Sequence, residues 1–536
     1  MDLVQTLLHS PAAVSWKKIE IRHHHGICVP LFSLHSQKSC GIGEYPDLLY
    51  LIPWCRDVGL DLLQLLPLND TGRETSPYSA LSSCALNPIH LGLAQLPYLE
   101  ELPELSQEVC KMQEWNKMQR IDYPLVYHAK ERFLQKYYLE VGKHLLASDA
   151  AQIFVAENAT WLTGYAIYKA IKRRQKDKPW EEWDASFKEV TPEKIVRWQE
   201  EFKEQIFYDY LVQYLCFQQL IHVRQEASKS HVFLMGDLPI LINRDSADVW
   251  LYRSSFNLDL AAGAPPDAYA AEGQNWGFPT PNGEVMEQNG YVWWGQRLTV
   301  AGNFYQLYRL DHVVGLFRLW SIPVGLPSDQ GRFVPEDQNL WIPRGEKLLR
   351  FILEHSPLLP IGEDLGTIPP QVRATLNELG ICGTKVMRWE RYWDHGGAFI
   401  PIEQYSPISM TTVSTHDSEI LEEWWKRHPE DARRFAEFKQ WKYRPMLDPA
   451  SQQAILYDSH HTASLFHINL LQEYLTLLPG LHWNSGEDER INVPGTISPR
   501  NWTYRFLPNL EQMVAHQGLR DLFKNLNLKT HLPHRE

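Results

Sequence analysis

Three apolar runs in this chain each end in a carboxylate. The first starts at Phe304 and closes in Tyr308-Arg309-Leu310-Asp311-His312. The second is Leu358-Leu359-Pro360-Ile361-Gly362-Glu363-Asp364, and the third is Met410-Thr411-Thr412-Val413-Ser414-Thr415-His416-Asp417. Asp311 and Glu363 stand 52 residues apart, Glu363 and Asp417 54. In a strand, residues two apart point to one side, so Arg309 and Asp311 should share a face. The guanidinium would then orient Asp311 and keep it ionised. Taken alone, such a pair reads first as a structural ion pair at a strand end. The recurrence changes the balance, because a (β/α)8 barrel keeps its chemistry at the C-terminal ends of its strands. The fold class expected is therefore α/β, a (β/α)8 TIM barrel.

The rest of the chain supplies the other strands. They are expected at Gly26 to Phe32, Leu60 to Leu66, Val232 to Met235, Gly383 to Arg388 and Phe466 to Leu471. A helix from about Pro46 to Val58 separates the first two, and the tail from Leu510 is helical. The expected organisation is one catalytic barrel domain over 1–536. Its insertions fall near 70–93 (a loop), 94–230 (helical) and 243–300 (loops over the mouth). Phe133, Leu134, Tyr137, Tyr138 and Val141 repeat at helical spacing, as do Phe202, Ile206, Tyr210, Tyr214 and Phe217. Asn243 to Leu298 reads as long and irregular, a sign of function or of a small subdomain. Ser39 to Tyr45 is a glycine-bearing loop without the Lys-Ser/Thr of a phosphate loop.

The net charge of −13 argues against a nucleic-acid partner, which needs a basic face. No run of about 18 apolar residues crosses a membrane, and no secretory leader opens the chain. The 7 cysteines are scattered without a C-x-x-C pair and read as reduced thiols of a cytoplasmic protein. His23, His24 and His25 are adjacent, so in a strand they point apart, and they lack zinc spacing. The 20 Trp and 24 Tyr fit a large core or sugar binding, since a flat ring covers the C–H face of a pyranose.

Two facing carboxylates can cut and remake a glycosidic bond, one attacking while ionised and one donating a proton. Asp311, beside Arg309, suits the nucleophile. Glu363, with no basic neighbour in sequence, suits the acid/base, and Asp417 a third, supporting role. Gln64-Leu65-Leu66-Pro67-Leu68, Ser76-Pro77-Tyr78, Gly236-Asp237-Leu238-Pro239-Ile240, Arg309-Leu310-Asp311-His312, Glu363-Asp364-Leu365-Gly366, Thr415-His416-Asp417 and Asn492-Val493-Pro494-Gly495-Thr496 carry a resemblance from about Gly26 to Arg505. The chain resembles the 4-α-glucanotransferases of glycoside hydrolase family 77. Val313-Val314 and Phe278-Pro279-Thr280-Pro281 depart from the pattern of many bacterial members, and Phe317-Arg318-Leu319-Trp320 looks like the plant cytosolic branch.

The resemblance implies Asp311 as nucleophile, Glu363 as acid/base and Asp417 as transition-state stabiliser. It implies sugar contacts from Tyr78, Asp237, Arg309, His312, His416 and Asn492, and from Asp267, Gln274 and Trp276 in a substrate-binding loop. It implies maltooligosaccharides and glycogen- or starch-type glucans as partners, and no cofactor or metal. The alternatives are an α-amylase-like hydrolase and a non-catalytic glucan-binding protein. The loops Arg73 to Pro88 and Asn243 to Leu298 are expected to form the acceptor cleft, with Tyr78, Trp250, Trp276, Trp293 and Trp294 as stacking faces.

Overall fold

The computed structural model describes residues 2–266, 272–393 and 396–527. Eight parallel strands form its centre: β1 (His24–Val29), β2 (Leu62–Leu65), β3 (Phe233–Pro239), β4 (Leu307–Asp311), β5 (Leu359–Gly362), β6 (Gly383–Val386), β7 (Ser409–Thr412) and β8 (Phe466–Leu470). They pair in the order β6-β7-β8-β1-β2-β3-β4-β5. A bridge between Ile361 and Cys382, with Gly362 N–H donating to Cys382 O at 2.7 Å, joins β5 to β6 and brings the ring round to its start. Every residue of β1, β2, β5, β7 and β8 is buried. That is why β2 and β5 read as near-continuous apolar runs, whereas β1, β7 and β8 bury polar side chains as well, among them His25, Thr411 and Asn469.

The strands depart from their expected bounds for local reasons. β1 stops before Pro30, which has no N–H to give a ladder, and Leu31–Ser33 turns as a short 3-10 helix. β3 runs on through the Gly-Asp-Leu-Pro motif because Met235 to Pro239 pair one by one with Leu307 to Asp311. Gly236 is needed there, since a Cβ would lie 2.5 Å from the Tyr305 ring. β7 ends at Thr412, so Asp417 lies five residues past its strand and not at its tip. In the loop 39–45, Gly43 passes so close to Leu31 that a Cβ would meet its carbonyl at 1.8 Å, a packing role for that glycine.

Between β2 and β3 the chain is helical, with Asp149–Arg174 packed on Lys203–Lys229 through Phe154, Trp161 and Phe217. Lys169 ties this layer to the loop after β2 by a 2.8 Å bond to buried Asp70. The stretch Asn243 to Leu298 is more regular than its sequence suggests. It carries helices Ala247–Leu251 and Val292–Ala301 and the strands Phe256–Ala264 and Gln274–Pro281. With Leu319–Pro323 and Arg332–Val334 these strands make a four-stranded antiparallel sheet. Gln274–Pro281 lies at its edge, the place where a sheet tolerates Pro279 and Pro281.

The C-terminal helices Leu510–Ala515 and Gln517–Asn527 pack on the seam where β8 meets β1, Phe523 lying between Trp54 and Tyr474. Of the three adjacent histidines, His24 points away from its two neighbours, while His23 and His25 share a face and both stack on His467. His24 bonds Asp61 at 2.8 Å, while His25 stacks between His460 and His467. Among the described residues no group of three or more His, Cys, Asp or Glu is arranged to hold a metal ion, and no helix is long and apolar enough to cross a membrane.

Candidate active site

The parallel register assembles the site. Asp237 of β3 lies beside Arg309 of β4, and Leu310 lies beside Gly362, the residue before Glu363. One guanidinium thereby serves three acids. Arg309 Nη1 is 2.9 Å from Asp237 Oδ2 and 2.7 Å from Asp311 Oδ1, and Nη2 is 3.6 Å from Glu363 Oε2. Arg309 and Asp311 share a face, as strand geometry requires. Glu363, without a basic neighbour in sequence, has one in space.

His312 follows Asp311 in the left-handed region, φ 48°. This turn aims its N–H at Glu363 Oε2, 2.9 Å, while Leu365 N–H donates to Oε1, 3.0 Å. Those bonds and Arg309 favour the carboxylate. Burial opposes them and dominates, Asp311 adds repulsion, and Glu363 is pushed up to about 7. Burial likewise lifts Asp237, 2% exposed, to about 6 against the pull of Arg309. Asp417 goes the other way. Its partial burial alone would raise it, but His416 at 3.4 Å and the amide of Asn492 at 2.7 Å from Oδ1 bring it down to about 2. Two carboxylates whose environments drive their pKa values apart suit one proton-donating and one permanently ionised role.

Tyr78 is held by its hydroxyl, which donates to Asp237 at 2.8 Å and lies 3.0 Å from His416 Nε2. Its ring stacks on His416 at 5.5 Å and tilts against Trp502. The loop Arg73 to Pro88 therefore delivers a clamp on Asp237 and His416 rather than an open platform. Trp502 is a site neighbour to which the sequence reading gave no role. It packs on both Tyr78 and His416, and it lies outside every motif that marks the site in the sequence.

Trp276 is half-buried and meets the His312 ring edge-to-face at 5.0 Å, its Nε1 donating to Gln274 Oε1 at 3.1 Å. Burial takes His312 down to about 4, so its ring is neutral at pH 7. Asp267 lies outside the described residues. The expectation for three other tryptophans is corrected. Trp250, Trp293 and Trp294 are 1, 2 and 1% exposed. Trp250 donates to Phe187 O, Trp293 donates to Asp248, and both Trp293 and Trp294 cover Arg297. They are core, because their helices turn those faces inward.

A barrel that gathers three acids around one arginine at its strand ends has the makings of an enzyme that works on glycosidic bonds. The comparisons narrow that class. The glycoside hydrolase family 77 model, described as 4-alpha-glucanotransferase, matches residues 29–510, and the chain belongs to this family. A 4-alpha-glucanotransferase of Chlamydia caviae is 45% identical over 529 residues, 98% of this chain and 99% of the relative. One of Oryza sativa subsp. japonica is 26% identical, with 94% of this chain and 69% of the relative covered. Amylomaltase from Streptococcus agalactiae, solved in complex with acarbose, shares the fold at a TM-score of 0.79, with 22% identity over 94% of this chain and 98% of that one. Family membership favours transfer over the hydrolase and binding-protein alternatives.

Proposed function

We propose that the protein moves a segment of an α-1,4-glucan onto the 4-hydroxyl of an acceptor glucose or glucan, with net retention. Asp311 attacks the anomeric carbon while Glu363 protonates the leaving oxygen. A glycosyl ester on Asp311 results. Glu363, now ionised, then takes the proton of the incoming sugar hydroxyl, which displaces Asp311. Asp417 stays charged throughout and faces the positive charge that develops on the sugar ring. Tyr78, Asp237, Arg309, His312, His416 and Asn492 hold sugar hydroxyls around the cleaved bond, and Asp267, Gln274 and Trp276 bind along the acceptor side. Two carboxylates supply acid and nucleophile, so the reaction calls for no cofactor. The substrates are maltooligosaccharides and glycogen- or starch-type glucans. The seven free cysteines, six of them buried, fit a cytoplasmic enzyme.

The observation that carries this reading is the single guanidinium that meets Asp237 and Asp311 and lies 3.6 Å from Glu363, with Glu363 poised near 7. Product analysis from maltotriose, with and without glycogen, tests it. Chain lengths should scramble at a constant number of reducing ends. A rise in reducing ends matching turnover would make the protein a hydrolase.

Transfer also needs an acceptor that outcompetes water at about 55 M, which binding supplies as effective concentration. Trp276, partly exposed beside His312, is the ring best placed to hold it. Trp276→Ala should lower transfer more than hydrolysis, reducing the transfer-to-hydrolysis ratio on maltotriose by about tenfold, which corresponds to a contact of about 1.4 kcal/mol. An unchanged ratio in the folded variant puts the acceptor elsewhere.

A further inference from the structure

We propose that Arg490 is a positioning residue that sets the Asp417–Asn492 pair in place through their backbone carbonyls. The proposal rests on the reading of Asp417 as a group that acts on the transition state. Nothing regular fixes either partner. Asp417 lies in a turn beyond β7, closed by Ser418 N–H on Thr415 O and Thr415 N–H on Ser418 Oγ, and its side chain is 43% exposed. Asn492 belongs to the stretch between the helices Gln472–Leu475 and Leu510–Ala515, which carries no helix or strand. Yet the two meet at 2.7 Å, a contact that tolerates only a small displacement of either segment.

Arg490 bridges them with a different nitrogen for each. Its Nη2 donates to Asp417 O at 3.1 Å and its Nε donates to Asn492 O at 2.9 Å. The remaining arm, Nη1, meets Glu419 Oε1 at 3.1 Å, two residues past Asp417. The planar fork thus fixes the turn at two points and the Asn492 segment at one. Glu419 neutralises its charge, so Arg490 acts through geometry, while His416 and Asn492 set the charge on Asp417.

The base of the fork is itself anchored. The Glu489 carboxylate accepts from Trp483 N–H at 2.7 Å and from the Tyr504 hydroxyl at 2.5 Å, and Glu489 O accepts from Gln472 Nε2 at 2.6 Å. A lysine could not copy this, because an ammonium on a flexible stem lacks the planar spread of donors.

The test compares Arg490→Ala and Arg490→Lys with Asp417→Asn on maltotriose, with guanidinium chloride added at concentrations that leave the wild type folded. A displacement of about 1 Å at a reacting centre costs on the order of 10²-fold. The alanine variant should lose that much in kcat with KM little changed, and added guanidinium should restore part of it. The lysine variant should fall in between, and Asp417→Asn should be inactive and unrescued. A folded alanine variant with wild-type kcat, or a loss that guanidinium leaves untouched, overturns the proposal. Should the alanine variant not fold, the lysine variant decides, and wild-type kcat there overturns it. An active Asp417→Asn would instead remove the reading of the site on which the proposal rests.

Discussion

Glu363→Gln is expected to lose on the order of 10²–10⁴-fold in rate on maltotriose, and still to be glycosylated by a donor with an activated leaving group. A sugar hydroxyl leaves only if it is protonated. Glu363 is the group poised to do this, pushed by burial up to about 7 and held in place by the N–H groups of His312 and Leu365. The amide keeps the shape and one acceptor oxygen but has no acidic proton. A leaving group that departs as a stable anion needs none, so attack by Asp311 proceeds. The second step does need Glu363, as the base for the incoming hydroxyl. The glycosyl-enzyme should therefore accumulate, and mass spectrometry of its peptides should place the sugar on Asp311. Label on Asp237, Asp417 or any other carboxylate would reverse the assignment, and undiminished turnover of maltotriose would remove Glu363 from the proton's path.

What could be read from the chain alone follows from how each contact is encoded. The barrel was legible where a buried parallel strand writes itself as a largely apolar run, as β2 and β5 do, and Asp311 and Glu363 each end or directly follow a strand. Asp417 was found by its motif, but its place was misread, since the β-branched run to Val413 gives no sign that pairing stops at Thr412. The antiparallel sheet was hidden because its strand Gln274–Pro281 holds two prolines and a glycine, residues that argue against a strand anywhere but at an edge. Trp250, Trp293 and Trp294 were assigned to the cleft from their neighbourhood in sequence, whereas helix phase turns them inward. The sharing of Arg309 among three acids was beyond sequence reasoning altogether. Asp237 lies 72 residues before it, and only the β3–β4 register makes them neighbours.

Arg309 is where the second large effect is expected. Its side chain is 12% exposed, and it is the cation that holds Asp237, which is buried on all sides. Replacing it with Met leaves that carboxylate unpaired, and breaking a buried pair costs about 3–5 kcal/mol. The rate should fall as well, on the order of 10²–10³-fold in kcat, as when one preorganised donor is removed from a reacting centre. The sign of the pH dependence separates this from general damage. In the wild type Glu363 must begin protonated, so kcat/KM should decline about tenfold per pH unit above its pKa, which lies at about 7. Arg309 pulls the pKa of both Glu363 and Asp237 down against burial. Arg309→Met should therefore move the basic limb to higher pH while lowering the whole profile. Stability should follow the same logic. The folded pKa of Asp237, about 6, already exceeds the ordinary carboxylate value. The stability linked to its protonation is present below that ordinary value and is lost as pH rises through the folded pKa. In the variant the folded pKa climbs, so the loss grows, and the drop in Tm should be larger at pH 8 than at pH 5. A basic limb that stays near 7 in Arg309→Met would mean that burial and Asp311 alone set Glu363, and that the guanidinium serves only to hold the acids in position.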